Sequence, residues 1–143
     1  MNTKRAQVSL EFLLVTALIM MIMMGSLSFL LFFAQSSTDR FVQDRVQDIG
    51  KTMVKNAELL TVYGPPAKRV VDFNFPPRVL NMTIEDDHYL FIKVQMISGP
   101  TQHYMFYSSY NMSGEFEERD FSEGRHSFLL EANETEVKVK RWA

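Results

Sequence analysis

The chain has 143 residues, 46% hydrophobic and 13% aromatic, which suits one compact domain and is too apolar for a disordered tail. A formal net charge of −2 argues against nucleic acid as a partner, because neutralising phosphates needs a basic surface. The absence of cysteine excludes disulfides, zinc–thiolate sites and thiol chemistry, so packing or assembly must hold any exported domain.

The first element is apolar. Residues 12–34 are 23 consecutive positions without a formal charge. As a helix rising ~1.5 Å per residue they reach ~34 Å, enough to cross a hydrocarbon core of ~30 Å. Gly25 is the only strong helix-weakener among them, and membrane helices tolerate glycine. A cleaved secretory signal has a shorter apolar core, ~7–15 residues, and Ala34-Gln35-Ser36-Ser37 is a weak cleavage site, so retention of the segment is expected. Lys4 and Arg5 precede the run and should stay cytoplasmic, which places the remainder of a single-pass chain outside. Glu11 stands at the start of the run. A carboxylate there either lies at headgroup level at little cost or is a functional group awaiting a partner, and both readings stand.

From Thr38 to Val62 the period stays helical. Val42, Val46, Ile49, Met53, Ala57 and Leu60 are spaced by three or four, and charged residues occupy the other face. Asp48–Lys51 and Lys55–Glu58 are opposite-charge neighbours at i,i+3. No proline interrupts Gln7 to Tyr63, so one helix of about 55 residues is predicted, ending at Gly64-Pro65-Pro66.

The remainder alternates as strands. Val71, Phe73 and Phe75 form one inward set, then Leu80, Met82 and Ile84, then Leu90, Ile92, Val94 and Met96, with Glu85-Asp86-Asp87-His88 as a hairpin turn. Ser98-Gly99-Pro100 turns again, Tyr104 to Tyr107 is an aromatic strand, and Phe128/Leu130 and Val137/Val139 alternate with polar neighbours. Lys138 to Arg141 reads as a charged terminal edge strand. The expected class is α+β: a long N-terminal helix, then six or seven short strands in a small antiparallel sheet or sandwich.

Asn81-Met82-Thr83, Asn111-Met112-Ser113 and Asn133-Glu134-Thr135 make Asn81, Asn111 and Asn133 candidates for N-glycosylation. His88, His103 and His126 show no ligand spacing, and the acidic stretches Asp86-Asp87 and Glu115 to Glu118 read as solvated loops. No catalytic, cofactor-binding or metal-ligating set is expected, and the chain does not read as an enzyme.

Lys4-Arg5-Ala6-Gln7-Val8-Ser9-Leu10-Glu11-Phe12, followed by the apolar run, resembles the archaeal class III signal peptide of type IV pilin-like proteins. Gln7, Ser9, Glu11 and Phe12 match that pattern behind a basic leader, over about 30 residues. The later turns at Gly64-Pro65-Pro66, Phe75-Pro76-Pro77 and Asn111 to His126 resemble such proteins more loosely. The resemblance implies that a prepilin peptidase cuts between Ala6 and Gln7, ahead of the helix, and that Glu11 sets register against a neighbouring subunit. The chain then divides into a leader (1–6), a membrane or filament-core helix (7–35), its amphipathic continuation (36–63) and an extracellular β-rich domain (64–143). The expectation is a structural subunit of a type IV pilus-like surface filament, self-assembling or joining other pilin-like subunits. The alternative is a membrane-anchored accessory protein that never polymerises, such as a minor pilin, a stator-like component or a surface binding module.

Overall fold

The computed structural model describes residues 2–142, with side chains described over 10–142. The chain forms two compact units, Met1–Ser37 and Thr38–Ala143. Helix α1 runs from Asn2 to Tyr63, longer than the predicted span because it extends back through the basic residues. It stops where expected. Gly64 takes the left-handed conformation (φ 74°) that glycine adopts without a Cβ clash, and its N–H donates to the carbonyls of Leu60 (3.1 Å) and Thr61 (3.2 Å). Pro65 and Pro66, joined by a cis bond, cannot continue the helix.

The second unit adds seven strands to residues 38–63 of the helix. They are β1 (Lys68–Phe75), β2 (Val79–Glu85), β3 (Tyr89–Gln95), β4 (Thr101–Tyr107), β5 (Met112–Ser113), β6 (Gly124–Ala132) and β7 (Val137–Trp142). Two sheets form, ordered β1-β6-β7-β5 and β2-β3-β4. The pairings are antiparallel except for the short β5–β7 ladder, which is parallel. This is the α+β arrangement expected from the alternation. The turn between β2 and β3 places Asp86 (φ 51°) and Asp87 (φ 59°) in the left-handed region, which short polar side chains tolerate better than most.

Both sheets and one stripe of α1 share a single core. Val42, Val46, Ile49, Met53, Ala57 and Leu60, the six helix positions marked by their spacing, are all buried, and Val54 joins them. Leu90, Ile92, Val94 and Met96 are buried in sequence, as the period of two requires. Phe128 lies at the centre of the aromatic part, with the rings of Phe73, Phe75 and Phe116 at 5.9, 6.0 and 6.0 Å.

Three details depart from the sequence reading. The register slips between Val79 and Asn81, a bulge that turns Leu80 outward although Met82 beside it is buried. Strand β7 is not simply an edge: β6 flanks it on one side, and β5 covers Val137 and Lys138 on the other. Only the stretch from Val139 onward is open on that side, and there exposed Lys140 and Arg141 discourage further strand addition. Finally, the helical pair Lys55–Glu58 does not form, because Glu58 accepts from Ser109 of the β-rich part instead.

Candidate functional site

The candidate functional element is a surface. Along residues 10–34 every large apolar side chain is exposed, from Leu10 and Phe12 to Phe32 and Phe33. In water such a surface would be strongly unfavourable, at ~25 cal/mol per Å² of apolar area. The only hydroxyls within 12–34 turn back on the helix itself. Thr16 donates to the carbonyls of Phe12 (2.9 Å) and Leu13 (3.0 Å), Ser26 to Ile22 (2.9 Å) and Ser28 to Met24 (2.9 Å). No side-chain donor in the run is left seeking water, which is the condition a hydrocarbon environment imposes. Among the described residues, one helix, near the N-terminus, is long and apolar enough to cross a membrane.

Glu11 is exposed at the start of this run and makes no ion pair with a described residue; Phe12 beside it is exposed too. The side chains of Lys4, Arg5, Ala6, Gln7 and Ser9 lie outside the described residues.

The charged half of the helix is tied to the sheet β2-β3-β4 at three levels. Buried Asp39 accepts from the N–H groups of Ile97 (2.8 Å) and Ser98 (3.0 Å) and from the Ser98 hydroxyl. Gly50 packs beneath the ring of Phe106 on β4. Glu58 accepts from the N–H (3.0 Å) and hydroxyl (2.7 Å) of Ser109. None of these contacts was read from the sequence. The one usable signal was an isolated glycine inside a helical period, at position 50, which marks close packing.

These bonds favour the charged carboxylates. The Ser98 hydroxyl, followed by the Ile97 N–H, holds Asp39 below its ordinary pKa, and the Ser109 N–H and hydroxyl do the same for Glu58. A folded-state pKa below the unfolded one contributes stability that is present above the usual carboxylate range and lost as pH falls through it. The expected result is an unfolding midpoint of the second unit that is flat near neutrality and drops on acidification. A pH series of urea titrations should show a shallower drop for the double variant Asp39→Asn, Glu58→Gln. An identical acid limb in both proteins would show that other groups control it.

Asn81 is exposed on β2, opposite Lys93, and Asn133 is exposed in the β6–β7 turn. Asn111 is half-buried, and the Ser113 hydroxyl of its sequon is buried with no hydrogen-bond partner among the described residues. The histidines stay apart: His88 Nδ1 lies 3.1 Å from the Ser108 carbonyl and His103 is exposed on β4. His126 Nε2 lies 3.2 Å from the Ser122 hydroxyl and 2.9 Å from the Ser122 carbonyl. The Ser122 hydroxyl also lies within hydrogen-bond reach of the Arg119 carbonyl, at 3.1 Å. In the shallow cleft beside β7, the charges answer one another through Arg119–Glu117 (2.6 Å) and Arg141–Asp120 (3.1 Å). Among the described residues no group of three or more His, Asp or Glu is placed to hold a metal ion.

Comparison with family models, with curated proteins and with solved structures finds no match to this chain.

Proposed function

We propose that the chain is a structural subunit of an archaeal type IV pilus-like surface filament. In this reading a prepilin peptidase removes residues 1–6 by cutting between Ala6 and Gln7. The helix then holds the subunit in the membrane until neighbouring helices replace lipid around it. The observation that carries the proposal is the uncharged helix of residues 12–34 with every large apolar side chain exposed, directly behind the Gln7-x-Ser9-x-Glu11-Phe12 pattern. A surface of this length and composition needs either lipid or copies of itself, and either covers it without a polar cost. Glu11 fits a register role because a carboxylate next to that surface is stabilised only where a neighbour presents an amine or donor. The second unit faces the exterior, where exposed Asn81 and Asn133 are the better glycan acceptors and half-buried Asn111 the poorer one.

The test is mass spectrometry of the N-terminal peptide, on sheared surface material and on membranes from the host separately. The expected result is a chain beginning at Gln7 and abundant in the sheared fraction. A chain beginning at Gln7 but confined to membranes would favour a non-polymerising accessory protein. A chain beginning at Met1 in every fraction would sink the prepilin reading.

A further inference from the structure

The second unit has one end that its tether must keep close to the bilayer. Five positions separate Ala34, the last residue of the uncharged run, from Asp39. Five residues span about 7.5 Å as a helix and no more than about 18 Å fully extended, whatever the disposition of the two units. The headgroup layer itself extends about 5–8 Å beyond the hydrocarbon core on each side. Asp39 grips Ile97 and Ser98, so the β3–β4 turn lies at this end. The start of β2 lies there too, because the Arg78 carbonyl accepts from the Gln95 N–H at 3.0 Å.

This end carries exposed apolar side chains next to arginines. Ile97 is 38% exposed, Leu80 48% and Phe41 53%, and Leu80 is outward only because of the bulge. Arg40 and Arg78 are exposed beside them, and neither forms an ion pair with a described residue. Asp39 is turned inward onto three donors, with the Arg78 charge near enough to stabilise its carboxylate, and exposed Asp44 lies one turn along the helix from Arg40. Arg78 holds a left-handed backbone (φ 72°), which is uncommon for a long side chain. Apolar side chains ringed by arginine suit the membrane interface, where the former enter the acyl boundary and the latter meet phosphate.

We infer that this end of the second unit, formed by Arg40, Phe41, Arg78, Leu80 and Ile97, is a docking surface for anionic phospholipid headgroups. The inference rests on the reading of residues 12–34 as held in a bilayer, and adds that the outer unit lies down on that bilayer before any assembly. Within the second unit, the Asp86-Asp87 and Asn133 turns lie at the opposite end from the β3–β4 turn.

The chain has no cysteine, so single-cysteine variants of the full chain take one fluorophore each. Ile97→Cys reports the docking surface, Asn133→Cys the far end and Leu27→Cys the helix. Each is labelled with an environment-sensitive dye and placed in vesicles of phosphatidylcholine, with or without phosphatidylglycerol. Quenching is read with lipids spin-labelled at the headgroup or deep in the acyl chain. The expected result is headgroup-level quenching several-fold stronger at position 97 than at 133, and stronger with phosphatidylglycerol. Arg40→Gln with Arg78→Gln should remove that excess, while unchanged Trp142 emission shows that the fold persists. If the Leu27 label escapes the deep quencher, the membrane reading fails and takes this inference with it. If the Leu27 label is quenched but 97 behaves like 133, the docking surface alone is overturned. Equal quenching at 97 in both lipids, insensitive to the arginine changes, would overturn the assignment to anionic headgroups.

Discussion

Phe128→Ala should destabilise the second unit by about 3–5 kcal/mol, the usual cost of emptying a large aromatic site that cannot collapse. Phe128 is fully buried, and the three rings around it come from β1 and from the segment after β5. Phe73 and Phe75 are held in place by the pairing of β1 with β6, so the lining cannot simply collapse into the void. Against a total stability of about 5–15 kcal/mol this is a large fraction. Urea titration of the detergent-solubilised full chain can follow it through Trp142, the single tryptophan, which pairs with Ser127 next to Phe128. Val70→Ala, at an exposed position of β1, should move the midpoint by less than about 0.5 kcal/mol. Equal effects of the two substitutions would mean that the ring cluster is not packed as described.

Gly50→Ala should destabilise as well, against the intrinsic preference of a helix for alanine. A Cβ at position 50 would fall inside the van der Waals radii of three ring carbons of Phe106. Overpacking of this kind costs about 1–3 kcal/mol. The gain in helix propensity is at most about 1 kcal/mol. The sign of the net effect therefore depends on the ring. In a Phe106→Ala background the clash disappears, and Gly50→Ala should become neutral or stabilising by up to about 1 kcal/mol. Such a reversal within one double-mutant cycle assigns the effect to this contact. A Gly50→Ala variant that is more stable than the parent protein would show that Phe106 turns aside freely.

Both predictions concern what sequence spacing conveys and what it leaves out. The helix from residue 38 onward was legible because its apolar positions recur every three or four residues, and a single core must bury them all on one side. The strands were legible where alternation was unbroken, as from Leu90 to Met96. It failed at Leu80, because a bulge is a property of two strands in register and leaves the alternation of either one intact. The short β5 was missed for a related reason: two residues have no period, and only the ladder to β7 makes them a strand. Lys55–Glu58 was expected to pair as helix neighbours, yet a surface ion pair is weak and the paired donors of Ser109 outcompete it.

Of the candidate functional residues, the apolar run was fully apparent in the sequence, since length and lack of charge are local properties. The pattern around Gln7, Ser9, Glu11 and Phe12 is likewise local. The end of the second unit proposed to dock on lipid was not apparent, because Asp39 and the β3–β4 turn it captures are distant in sequence. The sequence by itself determined the α+β class, the stop of the long helix, the buried stripe on its charged half and the apolar length needed to cross a bilayer. Each of these follows from periodicity or composition within one segment. Tertiary structure alone decided the split into two sheets, the parallel β5–β7 pairing, the seating of Phe106 on Gly50 and the grips of Asp39 and Glu58. Those are contacts between segments far apart in the chain, as between Asp39 and Ser98 or Lys68 and Glu131, chosen by which donors and voids the fold brings within reach.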